Sequence, residues 1–492
     1  MLKSGVHRQI YATIAASMSI FISGMWLGWP SSASEKFMKH ETGDLHVTYD
    51  QLSWIVCMMD LGNFISPLFG GYLMDRYGRK MVITALGPLF IISWSLTLFV
   101  PTTVALYTAR MMAGMGKGIS YTVVPVFLGE IAGVSIRGAL GSVFTIQLSC
   151  GVLFEVIVGP YVSYHTLNAT SAVVPVLFFA AFLWVPESPY YLLKVGRAAD
   201  AARCLRWYRG CDGDSGSGDD DDGDATVAAE LRLMDANVRK DMENGSAFGE
   251  LFTNRNNFRA LAVVMVACMG QRAGGISSLT AYSALILPEP SPIMGKFEFI
   301  IAFAVVLVVV NFVGLALVDR VGRKPLLIAS EAGLGLVTFV FGVYYFAAEH
   351  FPVAAAAYRW LPYACHTTFA ATFSIGIGFI PVVFLGEMFP VNVRSRCSAF
   401  ASVTLAFFSF VSNKTFLVVS HGYGYYTMFW TFSAVNFACA YFSHRYAVET
   451  TGKTFLEIQD ILDDSVRNGP GTRRRNAKRP QVIAYDNSSV DI

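Results

Sequence analysis

Charged residues are scarce. They make up 15% of the 492 positions, against roughly 25% in a typical soluble domain. Hydrophobic residues reach 54% and the mean hydropathy is +0.48, which excludes an ordinary water-soluble fold. The eight cysteines form no CxxC pair and no zinc-ligand spacing; scattered through apolar segments, they read as small buried side chains. No nucleophile–base pair, metal motif or phosphate-cradling loop is visible, so neither an enzyme nor a bound cofactor or metal is expected. The formal net charge of +2 gives no sign of a nucleic-acid partner, because the charges sit between apolar runs. The first residues, MLKSGVHRQ, are too polar for a cleaved signal, and the apolar run after them is long enough to be a first span.

What is abundant is long apolar runs. About 20 such residues cross the ~30 Å hydrocarbon core of a bilayer. Runs fall near 10–29, 52–73, 81–100, 104–128, 139–160 and 171–186, then near 260–287, 297–318, 325–347, 360–386, 396–419 and 424–447. The reading is an all-α membrane protein of twelve transmembrane helices in two pseudo-symmetric six-helix bundles, 1–186 and 260–447. A linker, 187–259, separates them and a tail, 448–492, follows. Basic residues mark every even-to-odd loop: Arg76, Arg79 and Lys80, then Arg137, then Arg320, Arg323 and Lys324, then Arg394 and Arg396. Lys and Arg concentrate on the cytoplasmic side, so these loops and both termini are expected inside, in a plasma-membrane protein. Within the linker, DGDSGSGDDDDGD (212–224) has the composition of a disordered segment, and 225–242 has helical composition. His40 and His46 fall in an outer loop and read as solvated. The sequon at Asn168 lies on the outer side and is a candidate for a glycan; those at 244–246 and 413–415 are expected inside the cell and within a span.

Two charged phrases each occur twice. YLMDRYGRK (72–80) returns as LVDRVGRKP (317–325), and FLGEIAGVSIRG (127–138) returns as FLGEMFPVNVRS (384–395). Two echoes in the same order indicate an internal duplication, one of the known designs of transporters. Asp75 and Asp319 fall at helix ends, where a carboxylate pairs with neighbouring bases. Gly78 and Gly322 allow a tight turn. Glu130 and Glu387 are expected to pair with the arginines across the cytoplasmic face, in a cluster that latches the two halves when their inner ends meet and breaks for inward opening.

These phrases resemble those of the sugar porter family of the major facilitator superfamily. DRxGRK matches at 75–80 and 319–324; PESPYYL (186–192) is similar to PESPRYL; AVETTGKTFLEI (447–458) is similar to the phrase after the twelfth span, with Glu449 matched. GWPSS (28–32) and KTF (414–416) look like the insect facilitated trehalose and hexose transporters. The resemblance covers about 10–460. It implies a carrier that moves a small-molecule substrate, most simply a sugar, through the lipid bilayer by alternating access.

It also implies a site midway through the membrane, where amides and hydroxyls meet sugar hydroxyls. Gln147 matches the family's fifth-span glutamine. In GQRAGGISSLTAYS (270–283), Gln271 and Tyr282 match the seventh-span pattern, while Arg272 and Ser277 replace a glutamine and an asparagine; Val382 stands where a tryptophan is usual. An arginine at mid-membrane needs a cavity or an acid partner, and Glu155 is one candidate partner. Asp60 and Lys414, in the outer parts of spans two and eleven, are candidates for an extracellular gate pair. Proton-linked members carry a first-span acid facing the fourth-span arginine. Here Arg110 is present and FISGMWLGWPSS (21–32) holds no acid, so facilitated diffusion is favoured, with Asp60, Glu155 and Arg110 the candidates for coupling. The alternatives are a proton-coupled symporter, a carrier of another polar or anionic solute, and a transporter-like nutrient sensor.

Overall fold

A computed structural model describes residues 2–42, 45–133, 137–211, 220–243, 255–289, 295–389, 391–453, 457–458 and 461–462. Among these the regular structure is helical: α1 (Leu2–Met38), α2 (Tyr49–Tyr77), α3 (Arg79–Phe99), α4 (Thr103–Ile131), α5 (Arg137–Val158) and α6 (Tyr164–Phe182) come first. Two short helices, α7 (Pro189–Lys194) and α8 (Ala198–Arg209), and a longer one, α9 (Asp220–Glu243), follow. The second half holds α10 (Arg255–Ala273), α11 (Ile276–Ile286), α12 (Lys296–Val321), α13 (Arg323–His350), α14 (Pro352–Ala356), α15 (Leu361–Ile375), α16 (Ile380–Glu387), α17 (Val391–Tyr423) and α18 (Tyr425–Tyr446).

Nine helices among the described residues are long and apolar enough to cross a membrane. The bent pair Tyr49–Pro67 and Phe69–Tyr77 makes a tenth if counted as one span, with 146–161 a shorter apolar helix. Two expected spans thus fall below that measure, α5 and α18. In α18 the reason is polar residues facing other helices: Ser433 Oγ donates to the Gly335 carbonyl at 2.7 Å and Asn436 Nδ2 to the Gly274 carbonyl at 3.0 Å. Local chemistry sets the helix starts. Thr48 and Gln51 form a reciprocal capping box on α2, and Ser163 caps α6, each supplying an acceptor to an otherwise orphan N–H.

Lipid tails are as apolar as leucine, so helices in a bilayer associate through close packing. Glycines provide it here. A Cβ on Gly114 would collide with the Met59 carbonyl oxygen, and one on Gly62 with that of Met111, so α2 and α4 touch backbone to backbone. Gly24 and Gly151 do the same for α1 and α5. In the second half α13 lies along α18, and α12 along α15. The halves meet where α2 packs on α17, α1 on α11 and α5 on α12.

Besides the bend in α2, two of the expected spans are broken among the described residues. The seventh divides into α10 and α11 at Gly274–Gly275, where Gly275 has φ of 113°. The tenth divides into α15 and α16 across Gly376–Phe379. Interrupted helices at membrane depth are tolerated where the freed backbone is satisfied or lines a cavity. Both conditions hold: Gln271 Nε2 donates to the Gly378 carbonyl at 2.7 Å, tying one break to the other, and Ser330 Oγ accepts the Ile377 N–H at 3.1 Å.

Candidate functional site: a cavity between two halves

Beside these breaks lies a cavity of about 200 Å³. Leu27 and Pro30 of α1, Asp60 of α2, Arg110 of α4 and Ser149 of α5 line it from the first half. Gln271, Arg272, Ser277, Thr280, Asn311, Ser374 and Asn413 do so from the second. The lining mixes amides, hydroxyls and charge with apolar surface, which is what a polyol needs. Among the expected contact residues, Gln271, Arg272 and Ser277 reach it. Gln147 does not, although Leu148 and Ser149 beside it do; each helical step turns the side chain by about 100°. Tyr282 is also away from it. Fully buried, it donates its hydroxyl to the Asn413 carbonyl at 3.2 Å and stacks on Phe416 at 5.5 Å. Val382 is 63% exposed on the outside of the bundle.

Arg110 is held rigidly. Its guanidinium donates to the carbonyls of Ile55 at 3.0 Å, Val56 at 3.2 Å and Trp26 at 2.5 Å, and sits 5.7 Å from the rings of Trp26 and Trp29. Those carbonyl and π-face contacts offset the cost of burying the cation.

Call the end of the bundle where α1 begins the near end, and the opposite end the far end. The polar contacts between halves, among the described residues, fall at the far end. Lys296 Nζ lies 3.1 Å from Glu35 Oε1, both side chains under 10% exposed. Lys414 Nζ meets Asp50 Oδ1 and Ser53 Oγ, each at 2.8 Å, and lies 4.3 Å from the Trp54 ring centre. Asn413 Nδ2 donates to Asp60 Oδ2 at 2.8 Å, and Tyr49 stacks on His421 at 4.7 Å. The expected Asp60–Lys414 pair is therefore corrected: the same two helices meet at the same end, but Asp60 takes Asn413 and Lys414 takes Asp50. Glu155 is also not the partner of Arg272. It is fully buried and accepts a hydrogen bond from Ser171 Oγ at 2.6 Å. Asn168, the sequon residue, is 0% exposed and accepts the Trp29 indole N–H at 2.8 Å, so a glycan has no access to it in this conformation.

At the near end the duplicated phrases build two matching clusters. Arg79 Nη2 and Nε donate to Glu130 Oε1 at 2.8 and 3.1 Å; Arg323 Nη2 donates to Glu387 Oε1 at 3.0 Å. A second acid completes each. Glu187 accepts the backbone N–H groups of Arg79 and Lys80 at 3.0–3.1 Å, and Glu449 accepts those of Arg323 and Lys324 at 3.0 Å. Each carboxylate thus sits on the N-terminus of a helix, α3 or α13, where the dipole favours negative charge. Gly78 and Gly322, with φ of 93° and 102°, turn the chain into these helices. A Cβ on either would press on the carboxylate: Glu187 for Gly78, Glu449 for Gly322. Burial pushes the Glu187 carboxyl up from its usual range despite its hydrogen bonds. Burial would also raise Glu449, but bonds from Thr451 and from the Arg323 and Lys324 N–H groups outweigh it and hold this carboxyl low.

Glu187 and Glu449 lay in the quoted phrases without a role; their distance from the basic residues in sequence hid the contact. Asp75 pairs with Lys194 at 2.9 Å and more loosely with Arg79 at 3.7 Å. Arg76 donates to the Tyr72 hydroxyl at 3.2 Å, outside the cluster, and Arg320 is exposed. The side chains of Arg137, Asp319 and Arg394 lie outside the described residues. One expectation is overturned. The Arg–Glu pairs lie inside each half and are formed while the halves are joined at the far end, so they brace each bundle in this state rather than latch the two together.

Residues 12–462 match the family model described as "Sugar (and other) transporter". The chain is 27% identical over 476 residues to the facilitated trehalose transporter Tret1 of Bombyx mori, covering 96% of this chain and 90% of the relative. It is 28% identical over 460 residues to that of Drosophila yakuba, covering 93% of this chain; it spans only 52% of that relative's length. Its fold matches the xylose transporter XylE from E. coli in a partially occluded inward open conformation, with a TM-score of 0.73 at 19% identity over 91% of this chain and all of that one. The inward open conformation of XylE gives 0.72 at 19% identity over 93% and 99%. This multi-pass, all-α membrane protein belongs to the sugar porter family of the major facilitator superfamily.

Proposed function

We propose that the protein carries a sugar across the plasma membrane by alternating access, as twelve spans in two pseudo-symmetric bundles, 1–186 and 260–447. The linker 187–259, the tail 448–492 and both termini lie on the cytoplasmic side, which is the near end. The observation that carries the reading is the cavity itself. It lies between the halves, at two broken helices, with the joining contacts at the far end. That arrangement suits a state closed to the outside. Transport then requires the Glu35–Lys296, Asp50–Lys414 and Asp60–Asn413 contacts to part and the near ends to approach. The Arg79–Glu130 and Arg323–Glu387 pairs keep each bundle rigid through the exchange.

Uptake into proteoliposomes of radiolabelled glucose, trehalose and xylose tests this. Saturable uptake of at least one, down its own gradient, is expected; binding without uptake of any would support a sensor and overturn the carrier. A second reading, proton coupling, draws on one observation: Asp60 and Arg110 line the same cavity. Facilitated diffusion expects uptake indifferent to an imposed pH gradient, and accumulation driven by that gradient would favour the symporter.

A further inference from the structure

The charges at the cavity do not balance. Beside the main cavity lies a pocket of about 30 Å³ that shares Asp60, Arg272 and Ser409 with it and adds Asn63, Lys117 and Tyr121. Two cations, Lys117 of α4 and Arg272 of α10, line this pocket, and Asp60 is the one acid lining either space among the described residues. Asp60 already accepts a hydrogen bond from Asn413, and the Arg110 guanidinium is spent on three carbonyls. Lys117 is 4% exposed, shares its pocket with Asp60 and Arg272, and lies 5.7 Å from the Tyr121 ring centre. Among the described residues neither the Lys117 ammonium nor the Arg272 guanidinium has a hydrogen-bond or ion-pair partner. Intramembrane cations without a partner are rare and mark a substrate path. A neutral sugar's hydroxyls accept hydrogen bonds from them but offer no compensating charge. A carboxylate satisfies both at once through charge-assisted hydrogen bonds.

We propose that Lys117 and Arg272 form a subsite for the carboxylate of a sugar acid, whose hydroxyls occupy the adjoining cavity. This rests on the carrier reading and specifies its substrate class. Size agrees with it: the small pocket has room for roughly two water-sized atoms, the bulk of a carboxylate head. The main cavity, at about 200 Å³, suits one sugar ring better than two. The carboxylate would lie between α4 and α10, which belong to opposite halves, so its charge draws them together and helps drive the exchange between states.

The test compares uptake of D-glucuronate, D-glucose, D-glucose 6-phosphate and acetate into proteoliposomes of the full chain, with monodispersity on size exclusion as the folding control. Glucuronate uptake should exceed glucose uptake by about tenfold at equal concentration. That ratio should collapse in Arg272→Gln and in Lys117→Met, and be largely kept in Arg272→Lys, which retains the charge. Glucose carried as well as or better than glucuronate overturns the subsite and leaves the carrier reading intact. Glucose 6-phosphate alone overturns the carboxylate assignment. Acetate alone keeps an anion site and overturns the sugar. No uptake of any probe by monodisperse protein overturns both readings.

Discussion

Removing one cation at the far end should tilt the whole molecule. Lys296 and Glu35 lie 3.1 Å apart with side chains 8% and 7% exposed, one on each half. Truncating one partner of such a pair costs about 2–5 kcal/mol. Part of that is retained, because Glu35 also holds Lys39 at 2.7 Å, so about 1–2 kcal/mol is a fair figure for Lys296→Met. A shift of that size changes the ratio of outward-open to inward-open molecules by about five- to thirtyfold. The assay is pulsed electron spin resonance with labels at Glu41 and Tyr423, exposed at the far end on opposite halves, and at Tyr77 and Val321 at the near end. Replacing the partly exposed cysteines, Cys150, Cys204 and Cys211, by serine keeps the labelling specific. The far-end distance should gain a longer population and the near-end distance a shorter one, in the same molecules. Unchanged distributions at both ends in a folded variant would refute the reasoning.

Other outcomes follow from the same contacts. Gly114→Leu drives a side chain into the Met59 carbonyl, so it should cost about 3 kcal/mol or more and be read as loss of monodisperse protein in detergent. Gln271→Ala removes the bond between the two broken helices and leaves the half-buried Gly378 carbonyl unpaired beside the cavity, at about 1 kcal/mol; transport should fall several-fold with folding preserved. Glu449 has a depressed folded-state pKa against the ordinary 4.5, so its contribution to stability is present above pH 4.5 and fades as pH falls through the lowered value. The gap in melting temperature between the native chain and Glu449→Gln should accordingly be widest near neutral pH and close in acid; a constant gap would count against the assignment.

Ten of the twelve expected spans, counting the bent pair as one, and the repeated phrases were legible because both rest on local pattern: apolar run length, and phrases that recur in order. The helix breaks were not, since Gly274–Gly275 and Gly376–Gly378 look like ordinary glycines of a membrane helix until their neighbours are known. Partner identity was the weakest point. Asn413 and Lys414 are adjacent in sequence, yet one step on a helix turns the side chain by about 100°, so an error of one residue exchanges Asp60 for Asp50. The same rotation separates Gln147, away from the cavity, from Leu148 and Ser149, which line it. Lys117 was overlooked because a lone lysine between glycines carries no motif; only the enclosure by Asp60, Tyr121 and Arg272 gives it meaning. Sequence suggested that Glu130 and Glu387 meet the arginines without saying which; the structure pairs Glu130 with Arg79 and Glu387 with Arg323. Their role was misjudged although the bundle bounds already held the answer: Arg79 and Glu130 both fall in 1–186, and Arg323 and Glu387 both in 260–447.

The central claim is that the far end must open and close for the substrate to pass. Asp50→Cys and Lys414→Cys, bridged by a short bis-methanethiosulfonate across the contact now made at 2.8 Å, test it directly in proteoliposomes. In the background with Cys150, Cys204 and Cys211 replaced by serine, uptake should stop on bridging and return on reduction, with that background alone unaffected by the same reagent. Full uptake through quantitatively bridged protein would contradict the account.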